Sequence, residues 1–251
     1  MKTLEDLILT YSSKEEMNNE DRQQFESWLG RETNTIQLKR MAKLDMVYQE
    51  IAVFLFERAI ELNSQDIEAI VGMGLSLWCL GNEQESKVKL KVAKEIRPER
   101  LDVLCLSHLN GGLNSQEMAL FERLLAKEYN TNELNYLGRV SYPESEISVP
   151  LYQRLIELEP KNVKAILHLG GVFWLIGEDD NSRIQLNKAK EINPERVDVL
   201  FLEATLASDE QSKIQLCEKI LEKEPDNKVV RANLENLKSS DINKIWQFPA
   251  S

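Results

Sequence analysis

Glycine and proline are scarce in this sequence, at 10 and 7 of 251 residues. Few positions interrupt regular backbone, and no Asn-Gly or Asp-Gly pair stands between alternating apolar runs to mark a strand hairpin. Only three cysteines occur, Cys79, Cys105 and Cys217, with no CxxC spacing. An odd, scattered set excludes a disulfide framework and reads as buried small apolar residues in a reducing compartment. The two histidines, His108 and His168, have no cysteine, histidine or carboxylate at metal-ligand spacing. Both are expected as packing residues on helices. No glycine-rich phosphate loop, GxSxG or HExxH motif is present. No apolar run approaches the roughly 18–20 residues of a membrane span. Acids at Glu5 and Asp6 come too early for a secretory signal. These absences point away from an enzyme, a metal or cofactor site and a membrane protein, and toward a cytoplasmic location.

What is present is charge and self-similarity. The composition is 42% hydrophobic and 29% charged, ordinary for a folded chain, with a net charge of −11 spread along the sequence. Such a surface disfavours nucleic acid and anionic membranes, and suits a basic protein partner. Residues 56–106 align without a gap on residues 152–202, an offset of 96, with about 22 of 51 pairs identical. Glu95–Leu104 (EIRPERLDVL) returns as Glu191–Leu200 (EINPERVDVL), and Trp78 and Gly81 return as Trp174 and Gly177. The duplicated unit is taken as residues 54–137 and 150–233.

A shorter period lies inside the long one. Helix ends are expected near Leu62, Ile96, Lys127, Leu158, Ile192 and Lys223, at steps of 34, 31, 31, 34 and 31 residues. Proline just past a helix stops it, having no N–H and disfavouring helix before it. Ile67–Pro98 carries Gly74 on a first helix, Gly81 at the turn, Leu90 and Ala93 on a second helix, then Pro98. Val163–Pro194 carries Gly170, Gly177, Leu186, Ala189 and Pro194. A 34-residue helical hairpin with small residues at the crossing and a proline after the second helix resembles the tetratricopeptide repeat. The resemblance covers roughly residues 50–238. It departs from the pattern in placing Ser86 and Ser182 at the usual small residue of the second helix, and in its 31-residue units, which lack the glycines.

The implied fold is all-α: an α-solenoid of about six or seven stacked hairpins wound as a tetratricopeptide-like superhelix. Val71, Leu75, Leu77 and Leu80 place apolar residues on several sides of the first helix, which must then be covered by neighbours. The second helix is amphipathic, and its lysines Lys87–Lys94 form a solvated outer face. The expected organisation is a hairpin cap over 1–30, a repeat array over 31–238 and a tail over 239–251. Leu4–Tyr11 is apolar-periodic, and Ser13–Glu16 matches a capping box opening a helix that stops at Gly30. Residues 36–62 fit one helix or two. Val229–Leu237 is the expected last packed helix, with Trp246 and Phe248 folding back as a cap and the chain loose from Pro249.

In tetratricopeptide-like stacks the first helices line a concave groove. The resemblance therefore implies a partner-binding groove of Glu68, Val71, Leu75, Trp78 and Cys105 in the first half, and Lys164, Leu167, His168, Gly171, Trp174 and Phe201 in the second, with Asp102, Leu109, Asn135, Asp198 and Thr205 also offered by the intermediate helices. Gly72 and Gly171 would leave hollows beside the two tryptophans. A groove with tryptophan anchors and little charge suits a peptide or a partner helix; space-filling between hairpins is the plainer role for the same tryptophans. The basic carboxylate clamp of chaperone-binding members is not evident, since Val71, Leu75, Leu167 and Gly171 stand where polar clamp residues would. The expected function is a non-enzymatic scaffold holding a protein segment, as an adaptor, a chaperone, an immunity-type inhibitor or a peptide sensor. The alternatives are a structural subunit using its ends or convex face, and a small-ligand receptor or enzyme built on the stack.

Overall fold

The computed structural model describes residues 19–44, 47–142, 144–239 and Trp246. Among the described residues there are fourteen helices and no strand. The expected features of residues 1–18, and of 240–251 apart from Trp246, lie outside them. The chain separates into two compact units, Met1–Glu128 and Tyr129–Ser251. The first contains α1 (Asn19–Leu29), α2 (Thr35–Ala42), α3 (Gln49–Leu62), α4 (Ile67–Cys79), α5 (Glu83–Ile96), α6 (Leu101–Leu109) and α7 (Ser115–Leu125). The second contains α8 (Thr131–Val140), α9 (Ser145–Leu158), α10 (Val163–Leu175), α11 (Asp179–Ile192), α12 (Val197–Leu206), α13 (Glu210–Lys223) and α14 (Lys228–Lys238). Each unit holds three hairpins, stacked in the manner of an α-solenoid, with α1 or α14 added at one end.

Short side chains set the helix starts. Asn34, Asp66, Asn130, Asn162, Asp209 and Asn227 each accept a backbone N–H from the first turn they precede, and such a cap contributes about 1 kcal/mol. Asp66 and Asn162 are counterparts at the 96-residue offset. The ends are matched too. Gly81 and Gly177 both adopt φ +77°, where a Cβ would strain the backbone. Asn82 N–H reaches Leu77 O at 2.9 Å and Glu178 N–H reaches Phe173 O at 2.8 Å, closing both helices with the same left-handed stop.

In the first unit α4 is the centre: Ala69 through Leu77 are all buried. Hydrophobic on every side, it must be surrounded, and α3, α5 and α6 surround it. Its crossing with α5 occurs at Gly74, where an added Cβ would lie 2.7 Å from Leu106 Cδ2 and 3.1 Å from Lys89 Cβ. Ser86 on α5 donates its hydroxyl to Gly74 O at 2.9 Å. The second unit repeats this at α10–α11. A Cβ on Gly170 would meet Leu202 and Gln185, the counterparts of Leu106 and Lys89, and Ser182 donates to Gly170 O at 2.8 Å. Serine replaces the usual small apolar residue because its hydroxyl bonds a backbone carbonyl brought close by the glycine.

Residues 36–62 form two helices, α2 and α3. The turn at Gly30–Thr35 is held from α3, where Arg58 donates to Gly30 O (3.1 Å) and Glu32 O (3.2 Å). Phe25 of α1 packs edge-on against Phe54 of α3, ring centroids 6.4 Å apart. Cys105 and Cys217 are buried, whereas Cys79 is exposed at the end of α4, a correction to the expectation that all three cysteines are buried. The turn that follows α4 ends its cover there. No helix among the described residues is long and apolar enough to cross a membrane.

Candidate functional site

One concavity of the second unit lies where the starts of α12 and α14 approach. It is an open cleft of about 450 Å³. Phe201 and Val230 form its apolar floor and Val197 one wall; Arg196, Asp198, Glu224 and Asn227 make the rim. The rim groups are ordered by one another. Arg196 grips Asp198 through two hydrogen bonds of 2.9 and 2.7 Å. Asp198 Oδ1 also accepts the Val199 N–H at 3.1 Å. Burial pushes the Asp198 carboxyl up, but Arg196 and the backbone donors outweigh it, so its pKa is lowered; that of Arg196 is raised, chiefly by the hydrogen bonds to Asp198. The pair stays ionised across the physiological range. On the other side Asn227 donates to Glu224 at 2.9 Å and caps α14 through Val230 N–H at 3.1 Å.

The first unit holds the counterpart pair, Arg100–Asp102, with the same two distances of 2.9 and 2.7 Å. There the Asp102 side chain is only 6% exposed, against 39% for Asp198. One motif, Pro-Glu-Arg-(Leu/Val)-Asp-Val-Leu, is thus closed over in one copy and open in the other.

Trp246 reaches the same helix from the far end of the chain. Its ring lies 5.7 Å from that of Phe201, and its indole N–H donates to Thr205 Oγ1 at 3.1 Å. Thr205 donates its own hydroxyl to Phe201 O at 2.9 Å. Lys213 of α13 sits 5.4 Å over the indole. A second, smaller cleft of about 240 Å³ opens beside Trp246, between Lys213, Asn233 and Leu237.

The groove residues expected from the sequence are not gathered at one surface. Val71, Leu75 and Cys105 are 1% exposed or less, and Gly171 is also buried; they are core positions of α4, α6 and α10. Glu68 belongs to an ion-pair network joining α2 to α4. Lys39 Nζ lies 2.9 Å from Asp66 and 2.7 Å from Glu68, and Lys43 Nζ 2.7 Å from Glu68. Burial would raise the Glu68 carboxyl, but hydrogen bonds from both lysines hold it at about 2. Lys164, its counterpart, is exposed. Leu167 and Trp174 are half-buried against the α10–α12 core. Trp78 is half-buried, and its indole N–H donates to Leu109 O at 2.9 Å, pinning α4 to α6.

The expected hollows beside the tryptophans are filled, a second correction. A Cβ on Gly72 would fall inside contact of the Phe56 ring, and one on Gly171 would lie 3.0 Å from Tyr142 Oη. At the position matching Gly72 the second unit has His168, which stacks on Tyr152 with centroids 5.4 Å apart and planes at 12°. Of the expected residues, Asp198 and Phe201 lie at the cleft, and Thr205 accepts the Trp246 indole N–H beside it. Sequence reasoning missed Val197, Glu224, Asn227 and Val230. Its available signal was the repeated Arg-x-Asp of residues 100–102 and 196–198.

No group of three or more histidine, cysteine, aspartate or glutamate side chains poised to hold a metal occurs among the described residues. The cleft can take up an apolar side chain on Phe201 and Val230, with Asp198 and Glu224 beside it.

No family model matches this chain, and no curated protein matches it. Several solved structures are similar. A thermophilic tetratricopeptide protein of Thermus thermophilus, TTC0263, is 19% identical, over 81% of this chain and 94% of that one, with a TM-score of 0.45. YrrB, a tetratricopeptide protein with an unusual peptide-binding site, is 17% identical over 82% and 94%, with a TM-score of 0.38. PilF of Pseudomonas aeruginosa is 13% identical over 77% and 93%, with a TM-score of 0.39. The repeat type is read from this chain's own hairpins: a glycine at the α4–α5 and α10–α11 crossings, a left-handed glycine stop after α4 and after α10, and a proline after α5 and after α11. By these marks the chain is an all-α array of tetratricopeptide-like helical hairpins.

Proposed function

We propose that this chain is a non-enzymatic interaction scaffold that holds a protein segment against the α12–α14 face of its second unit. The observation that carries it is the cleft floored by Phe201 and Val230 and rimmed by Asp198 and Glu224. Its rim groups bond to one another and do not converge on a reacting atom. An apolar side chain entering the floor would be desolvated among apolar neighbours, the arrangement of an interface anchor. Glu224, the rim carboxylate that Arg196 does not pair, with a chain charge of −11, favours lysine or arginine beside that anchor. The partner is therefore a segment with one apolar anchor and neighbouring basic residues, and the role an adaptor or an inhibitor of a basic target in the cytoplasm.

The test is selection of binders from a random peptide library displayed against the full chain. The expected consensus is an apolar residue flanked by lysine or arginine. Binding should fall about tenfold or more in Val197→Asp and in Glu224→Lys, a loss of about 1.4 kcal/mol or more. Selected peptides that bind both folded variants as well as the parent would refute this site.

A second use of the surface is favoured by one further observation. Val88 on α5 and its counterpart Ile184 on α11 are 60% and 49% exposed. An apolar residue kept exposed at the same place in both copies suits a structural subunit that packs its second helices into an assembly. Loss of assembly in Val88→Glu/Ile184→Glu, with the cleft variants unaffected, would favour that role.

A further inference from the structure

We propose that Trp246 is the built-in occupant of the α12–α14 face, so that the chain holds its own binding surface partly closed until a partner segment displaces the tail. This rests on the assignment of that face as the binding surface. Phe201 is the shared element: it floors the open cleft and is also the ring partner of Trp246. The face thus shares Phe201 between an open cleft at the start of α12 and the Trp246 ring toward its end.

The way Trp246 is held is that of a docked ligand. It packs against the core cluster that contains Phe201, donates its N–H to Thr205 and presents a face to Lys213. It remains only half-buried, with open space beside it. Thr205 is well placed to receive it, since its hydroxyl donates to Phe201 O and so turns a lone pair toward the indole. In the first unit the counterpart of Thr205 is Leu109, whose carbonyl accepts the indole N–H of Trp78. That tryptophan comes from the preceding helix of the array and is part of the packing. Trp246 follows α14, the last helix among the described residues, so it can leave without breaking any hairpin described above. A partner's tryptophan or phenylalanine would meet the same ring, acceptor and cation.

The probe is a fluorescent peptide with the sequence of residues 240–251, titrated against the full-length chain and against full-length Trp246→Ala. A tethered tail competes at an effective concentration on the order of millimolar. The peptide should therefore bind Trp246→Ala about tenfold more tightly than the parent. Replacing the peptide's own tryptophan by alanine should abolish binding. Should Trp246→Ala lose its helical circular dichroism, Trp246→Phe keeps a ring without the N–H, and an intermediate gain is expected. Equal affinity for parent and variant would overturn self-occupancy while leaving the face as a binding surface. No binding to either folded chain would overturn self-occupancy outright, and the Val197→Asp and Glu224→Lys measurements would then decide the cleft separately.

Discussion

The two copies of the hairpin crossing provide an internally controlled measurement. Ser86 and Ser182 occupy counterpart positions, both fully buried, and both donate to a glycine carbonyl across the crossing. They differ in one respect. Ser86 Oγ also accepts Asn110 Nδ2 at 3.0 Å; the counterpart of Asn110 in the second unit is Leu206, which has no side-chain donor. Replacing either serine by alanine removes the bond to glycine, a net loss of about 1 kcal/mol. It also gains roughly 0.5 kcal/mol of helix propensity. Both contributions are common to the two sites and cancel in the difference. What remains is the Asn110 bond, so Ser86→Ala should cost about 1 kcal/mol more than Ser182→Ala. Urea unfolding followed by far-ultraviolet circular dichroism measures both, each variant shifting the transition of its own unit if the units unfold separately. Equal costs, or a stabilised Ser86→Ala, would refute the hydrogen-bond account and leave these serines as simple small residues.

Gly72→Ala should destabilise by about 1–3 kcal/mol, because the added Cβ must displace the buried Phe56 ring; thermal unfolding checks it, and the ordinary helix gain of about 1 kcal/mol would show that the ring moves freely. The folded-state pKa of Glu68 is depressed from 4.5 to about 2, so its contribution is present above pH 4.5 and disappears as pH falls toward 2. Its side chain is 36% exposed, and solvent screening reduces the contribution to about 1 kcal/mol. Glu68→Gln should lose that at neutral pH and flatten the acid limb of a stability profile. Burial pushes the Cys217 thiol up to about 11, so an alkylating reagent at mildly alkaline pH should modify exposed Cys79 first and leave Cys217 until the chain unfolds; equal rates would contradict that burial.

Much of the fold was legible because it is periodic. Proline stops after Ile96 and Ile192, glycine stops after Leu80 and Ile176, and the apolar surround of Val71–Leu77 together require stacked hairpins. The break between Ala42 and Gln49 was not legible, since no glycine or proline marks it. The site was far less legible. Positions such as Val71 and Leu75 were assigned to a groove by likeness to a repeat type. Whether a face is groove or core depends on how closely neighbours pack, and Phe56 over Gly72 and Tyr142 beside Gly171 decide that here. The cleft lies between α12 and α14, and the repeated motif does not mark it: Asp102 and Asp198 occupy the same place in that motif and differ in exposure.

The pairing of Phe56 with Gly72, and of Tyr152 with His168, bears on how a chain with two similar segments avoids mixing them up. Residues 56–106 and 152–202 share their caps, stops, crossing serines and Arg-x-Asp pairs, so during folding each could offer its α3- or α9-type helix to the wrong neighbour. The ring-on-glycine fit leaves no room for an imidazole, and the ring-on-imidazole stack would lose its upper layer over a glycine. Phe56 set against His168 would clash, and Tyr152 set against Gly72 would leave a void. These two unlike joints in otherwise matching halves work as keys of different cut, and exchanging only Gly72 and His168 should make the halves interchangeable enough for molecules to trade them.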